Sequence, residues 1–171
     1  YISSVSVYAD TDRPGADEQA RLVEPLVEGE PDDYARAKVA AERAAAALAV
    51  RVAVIRPGLI VGPGDPTDRF GYWPARFAAA TDGPVLVPDA TGLHAQVIDV
   101  DDVAGFAVAA GARGFAGVVD AVGPPHPLAD VLALARDAAG HIGEVRAAPA
   151  DWLVRHGVAH WMGPRSLPLW L

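Results

Sequence analysis

Apolar positions come in short blocks along this chain, and their spacing predicts alternating strands and helices. Tyr1-Ile2-Ser3-Ser4-Val5-Ser6-Val7 is short and β-branched, as a buried parallel strand should be. Residues 9–32 carry many acidic, Pro and Gly positions and predict a loop. Glu30-Pro31-Asp32-Asp33 then reads as a helix start, because proline suits the first turn and carboxylates there complement the positive end of the helix dipole. The helix runs from Tyr34 to Leu48 and is rich in alanine, the best helix former. Val52 to Ile55 is a second buried strand, ended by Pro57-Gly58. Strand, helix and strand in that spacing predict a right-handed βαβ unit.

Beyond Gly58 the blocks shorten. Residues 62–76 predict a loop rich in Gly, Pro and Asp that carries Phe70, Tyr72 and Trp73, and Arg76 to Ala80 continues into a short helix. Val85-Leu86-Val87 and Gln96-Val97-Ile98 read as short strands, and Asp101 or Asp102 can cap a helix running to about Ala110. Gly117 to Val122 is a third buried strand, ended by Gly123-Pro124-Pro125. Leu128 to Ala138 is an amphipathic helix, Glu144-Val145-Arg146 a short strand, and Asp151 a cap for a helix starting at Trp152. The fold class is therefore α/β.

Composition narrows the function classes. The 171 residues suit a domain of ordinary size, and 51% apolar with 21% charged residues is the balance of a chain with a real core. A formal charge of -8 without any basic run argues against nucleic acid and against an anionic membrane surface as partners. A small molecule is the expected partner. The absence of cysteine removes thiol catalysis, disulfides and cysteine-bound zinc, and fits a reducing cytoplasm. No apolar run approaches the roughly 20 residues of a membrane span.

The candidate chemistry sits at Tyr34-Ala35-Arg36-Ala37-Lys38. Helix residues four apart have Cβ atoms about 5–6 Å from each other, so the Lys38 ammonium can lie beside the Tyr34 phenol. A cation about 4 Å away favours the phenolate form, and so turns a tyrosine into a proton-transfer group. No His or acidic set elsewhere has metal-ligand spacing: His156 and His160 have no Glu after His156, and Asp99, Asp101 and Asp102 have no histidine beside them. A metal is not expected. Gly-x-Ser-x-Gly is also missing, which argues against a serine hydrolase.

The order of these segments resembles the C-terminal half of an extended short-chain dehydrogenase/reductase of the NAD-dependent epimerase/dehydratase family. The resemblance rests on Ser3-Ser4 followed by Val7-Tyr8, on Tyr34 and Lys38, on Arg56-Pro57-Gly58 leading to Gly62-Pro63, and on Val97-Ile98-Asp99-Val100-Asp101-Asp102-Val103-Ala104. It implies the C-terminal part of a Rossmann-like, doubly wound parallel sheet, with a small interleaved substrate-binding subdomain. On that reading residues 1–61 and 117–123 belong to the dinucleotide-binding domain, and 62–116 and 124–171 to the subdomain. The resemblance further implies Ser4, Tyr34 and Lys38 as the catalytic set, with Tyr34 as general acid/base and Ser4 donating to the reacting oxygen. Lys38 would also hold nicotinamide ribose hydroxyls. Pro57 with Gly58, Leu59 and Ile60 would contact the nicotinamide, while Phe70, Tyr72 and Trp73 would wall the substrate pocket. Arg56 is expected to serve the fold. The cofactor would be NAD or NADP, and the Tyr34 to Leu48 helix a homodimer contact.

Two departures shape the expected function. The family's Gly-x-x-Gly-x-x-Gly fingerprint after the first strand would lie about a hundred residues before Tyr1, and nothing here is expected to replace it. The chain is therefore expected to be a fragment, poorly soluble, inactive and without cofactor affinity alone. The second departure is Ala95, which stands where nucleotide-sugar members carry a pyrophosphate-binding Arg. A methyl group cannot hold two phosphates, and His94 beside it lacks the bidentate fork of guanidinium. The expected activity is hydride transfer at a carbonyl or secondary alcohol, of the reductase type. The alternatives are a nucleotide-sugar epimerase or dehydratase and a non-catalytic nucleotide-binding regulator.

Overall fold

The computed structural model of the chain describes residues 1–11, 14–48, 51–161 and 165–170. After a 3₁₀ turn at Val5–Val7 come helix α1 (Tyr34–Ala47), strands β1 (Ala53–Pro57) and β2 (Leu59–Val61), helix α2 (Tyr72–Ala80), and strands β3 (Val85–Pro88), β4 (His94–Ala95) and β5 (Val97–Asp99). Helix α3 (Val100–Ala112), β6 (Gly117–Ala121), β7 (His126–Pro127), α4 (Leu128–Ala138), β8 (Val145–Ala148), α5 (Ala150–Arg155), β9 (Ala159–His160) and β10 (Ser166–Leu167) follow. Two compact units result: Tyr1–Pro63 with Val97–Gly123, and Gly64–Gln96 with Pro124–Leu171.

In the first unit β1 is the central strand. It pairs in parallel with β6, from Ala53 opposite Gly117 to Pro57 opposite Ala121, and Ile55 makes a parallel bridge to Ile2 on its other side. β2 pairs in parallel with β5, and α3 packs against β1. Residues 97–116, expected in the small subdomain, therefore cluster with the first unit. The predicted strand at Tyr1–Val7 is reduced to one bridge and a turn, because the Ser4 hydroxyl accepts the Ser6 N–H and so competes with a sheet ladder. Strand β6 is exposed at Gly117 and Val118 rather than buried throughout. It pairs along one edge, with β1.

The predicted loop at 9–32 folds back on the strand end. Ala9 N–H donates to Arg21 O, Val23 N–H to Val7 O, and Tyr8 bridges Leu22 in antiparallel fashion. Asp33 caps α1, accepting the Arg36 N–H at 2.9 Å. The cap of α3 is Asp99 rather than Asp101 or Asp102: its carboxylate accepts the Asp101 N–H, which leaves the other two acids in the first turn, where the dipole favours them.

In the second unit β3 pairs in parallel with β8, β4 runs antiparallel to β7, and α2 packs on α4. The core holds Trp73, Phe77, Leu128, Leu132 and Leu153. Helix α2 begins at Tyr72, not at Arg76. Pro74 looks like a breaker, but it is the third helical residue, where its missing N–H has no partner to lose. Helix α5 likewise begins at Ala150 after Pro149, and Asp151 is paired with Arg155 instead of capping.

Glycine is required at 123, where a Cβ would overlap the carbonyl oxygen of Val97. Gly123→Ala is expected to cost about 1–3 kcal/mol through overpacking against backbone. The check is a lower denaturant midpoint with an unchanged m-value.

Candidate active site

Helix α1 presents Tyr34, Lys38 and Glu42 four residues apart, on one face. The Lys38 ammonium lies 5.6 Å from the Tyr34 ring centroid and 5.6 Å from that of Tyr1. It donates to the Ile2 carbonyl oxygen at 3.1 Å. Tyr34 is 62% exposed, so its phenol is open to a ligand. The structure thus brings Tyr34 and Lys38 together beside the segment that carries Ser4.

Ser4 itself is buried and engaged locally. Its hydroxyl accepts from Ser6 N–H and shares a 3.1 Å bond with the Ser6 hydroxyl; neither bond goes to Tyr34 or Lys38. Its neighbour Ser3 donates to the Glu42 carboxylate at 2.5 Å. Glu42 is 7% and Arg56 3% exposed, and the two form a bidentate pair, Nε to Oε1 at 2.9 Å and Nη2 to Oε2 at 2.7 Å. From Arg56 the network continues: Nη1 donates to the Tyr8 hydroxyl at 3.1 Å, and that hydroxyl donates to Asp120 at 2.7 Å. The Asp120 N–H donates to Glu18 in the folded-back loop.

Sequence reasoning did not single out Glu42, Asp120 or Glu18, and used Tyr8 only as a landmark of the resemblance. One signal was present. Glu42 is an acid on the apolar side of an alanine-rich helix, and Arg56 is a base inside a buried strand; two opposite charges at core positions need each other.

The network sets the ionisation of its members. Burial works to raise the Glu42 carboxyl, but hydrogen bonds from Arg56 and Ser3 outweigh it and hold the group below the usual carboxylate range. The Glu42 carboxylate in turn raises Arg56. Burial and the bond to Asp120 push Tyr8 up to about 12. Asp120 is raised, chiefly by burial.

Pro57 ends β1 and is buried, and the Gly58 N–H donates to the Ala121 carbonyl, so this step is held by the sheet. Leu59 and Ile60 of β2 pair with Val97 and Ile98 of β5. Trp73 is a core residue at 1% exposure, packed against Phe77, whereas Phe70 is exposed. Tyr72 lines an open cavity of about 310 Å³ in the second unit with Arg69, Trp161 and Ser166. Ala95 is buried in β4 beside its pairing partner His126. Among the described residues no group of three His, Cys, Asp or Glu gathers as a metal site would need.

Gly111, Gly114 and Gly117 do have Gly-x-x-Gly-x-x-Gly spacing. Gly111 lies in the last turn of α3, Gly114 in the connection and Gly117 at the start of β6, the reverse of the strand, turn and helix order that aims a helix N-terminus at a pyrophosphate. The spacing therefore makes no cradle.

Parallel strands joined through helices define an α/β class. The sequence profile described as the NAD dependent epimerase/dehydratase family matches residues 1–121, and the chain belongs to that family. No curated protein matches it. Similar solved structures include a provisionally assigned epimerase from Burkholderia cenocepacia J2315, at 22% identity and TM-score 0.69, with 98% of this chain and 52% of that one covered. RMD from Pseudomonas aeruginosa, complexed with NADPH, is 26% identical at TM-score 0.62, over 87% of this chain and 53% of that one. UDP-glucuronic acid 4-epimerase from Bacillus cereus, in complex with NAD, is 15% identical at TM-score 0.64, over 98% and 50%. The chain spans about half the length of these neighbours. The neighbours share its Rossmann-like fold, and no described helix is long and apolar enough to cross a membrane.

The network has a pH signature. Glu42, lowered on folding, contributes stability present above the usual glutamate value near 4.3, and this is lost as pH falls through its lower folded value. Tyr8, raised on folding, contributes stability present below about pH 10 that is lost as pH rises towards about 12. Unfolding midpoints across pH 9–12 should fall in the wild type and flatten in Tyr8→Phe; an unchanged slope would refute the Tyr8 assignment.

Proposed function

We propose that this chain supplies the proton-transfer and nicotinamide-end residues of an NAD(P)-dependent oxidoreductase, moving hydride at a carbonyl or secondary alcohol. The observation that carries this is the exposed Tyr34 phenol with the Lys38 ammonium 5.6 Å from its ring, in a chain of this family.

The residues present suit the nicotinamide end of the dinucleotide. Lys38 has three N–H donors and uses one on Ile2 O, so two remain for ribose hydroxyls. Pro57 to Ile60 form a backbone ledge held by β6 and β5. When bound, the nicotinamide accepts or delivers the hydride. Tyr34 takes the proton from a substrate hydroxyl during oxidation and returns it to the carbonyl oxygen during reduction. Lys38 steadies the phenolate between these steps. Ser4 donates a hydrogen bond to the same oxygen and so steadies the charge that develops there; to do so its hydroxyl turns from Ser6.

Two substrate readings stand. A neutral carbonyl compound is supported by the buried methyl of Ala95, which offers no guanidinium to a pyrophosphate. A nucleotide sugar is supported by the likeness to UDP-glucuronic acid 4-epimerase. Tyr72, at its cavity, is the aromatic best placed to touch substrate. A cytoplasmic setting and a homodimer through α1 complete the proposal.

Tyr34→Phe in the full-length enzyme keeps the ring and removes the proton, and should lower kcat by about 10²–10⁴-fold; turnover at the wild-type rate would sink the assignment. The isolated chain should show no NAD(P)H binding by fluorescence titration and should self-associate on sedimentation. A dispersed monomer that binds cofactor at micromolar concentration would contradict this.

A further inference from the structure

We propose that Glu42 is a positioning residue for this site: one buried carboxylate that fixes the Ser4 segment, the Tyr34 and Lys38 helix and the strand end at Pro57 relative to one another. The inference rests on the functional reading above and adds a residue that the reading did not need.

Glu42 receives three hydrogen bonds from two other parts of the unit, Ser3 Oγ and Arg56 Nε on one oxygen and Arg56 Nη2 on the other. Each donor is the immediate neighbour of a residue assigned to the site: Ser3 precedes Ser4, and Arg56 precedes Pro57. Glu42 itself lies one turn beyond Lys38 and two beyond Tyr34, about 6 Å per step along the helix. Arg56 extends the clamp through Tyr8 to Asp120 in β6, the strand next to β1. The Ser4 segment, α1 and the β1 end thus meet at Glu42 directly, and β6 is reached through Arg56 and Tyr8.

Stability alone does not explain such a pair. Two charges taken out of water pay desolvation, and well-packed apolar residues of similar volume often replace a buried ion pair without loss. What the bidentate fork supplies is direction, since it fixes the plane of the carboxylate and the axis of the guanidinium. Proton and hydride transfer need that. A displacement of about 1 Å at a reacting group can cost about 10²-fold in rate.

The test separates geometry from stability in the full-length enzyme. In E42L/R56M the volume is kept and both charges leave, so the variant should fold with a Tm close to that of the wild type. Its kcat should nevertheless fall by about 10–100-fold, with KM changed by less than about threefold. Hydrogen exchange, read without cofactor or substrate, should rise at the amides of residues 4–6 and 34–38 and stay unchanged in β3 and β8. E42Q, which keeps the shape and loses the charge, should show the same kcat loss with a lowered Tm, and Glu42→Asp should recover part of the rate. Wild-type kcat in the double variant, or unchanged exchange at 4–6 and 34–38, would overturn the proposal. Should Tyr34→Phe retain full turnover, the functional reading fails instead, and the exchange measurement still decides whether Glu42 holds these segments.

Discussion

The first unit depends on one buried ion pair. Arg56 rises from the central strand and Glu42 descends from the helix above it, and neither could remain charged there without the other. Once they meet, the remaining polar groups are drawn into line. Ser3 adds its hydroxyl to the carboxylate, Tyr8 takes the third guanidinium nitrogen, and Asp120 and Glu18 extend the chain of bonds into β6 and the folded-back loop. An apolar sheet and an alanine-rich helix could slide against each other at little cost. A bidentate pair cannot, because its geometry is directional.

This constraint also explains which residues are accessible. Glu42 faces inward, so on the same helical stripe Lys38 comes to the margin and Tyr34 to the surface. Burial decreases along that stripe towards the helix N-terminus, and a phenol open to ligand stands on a base that is buried. The second unit is organised differently, around Trp73, Phe77 and Leu128, with apolar packing in the place of charge. Its short paired strands and helices form a scaffold for loops, and Tyr72 at the start of α2 lines the cavity there.

Much of this was legible in the sequence where a single local rule decided the outcome. The α1 start at Tyr34 was legible in Glu30-Pro31-Asp32-Asp33, although Pro31 lies ahead of the Asp33 cap and not in the first turn, and the β1 end was legible in Pro57-Gly58. Tyr34 and Lys38 were readable because four-residue spacing on a helix leaves little freedom. Reading failed where two rules competed. Val5 and Val7 favour a strand, but the Ser4 hydroxyl offered the backbone a closer partner and made a turn. Pro74 suggested a loop, yet the first helical turn tolerates it. That residues 97–116 cluster with the first unit was not readable, because pairing of β5 with β2 is a long-range choice that no local pattern reveals. The polar network was invisible for the same reason: its members are separated by up to 112 residues.

Lys38 has one more role, set by where its hydrogen bond ends. Tyr1 O and Ser3 N–H face β1, so the Ile2 carbonyl points to the opposite side of that segment. The ammonium seals that carbonyl and leaves a charge beside it. The same cation therefore ties α1 to the segment beside β1 as well as standing next to the phenol, so the position of the helix and the surroundings of the phenol are set by one side chain.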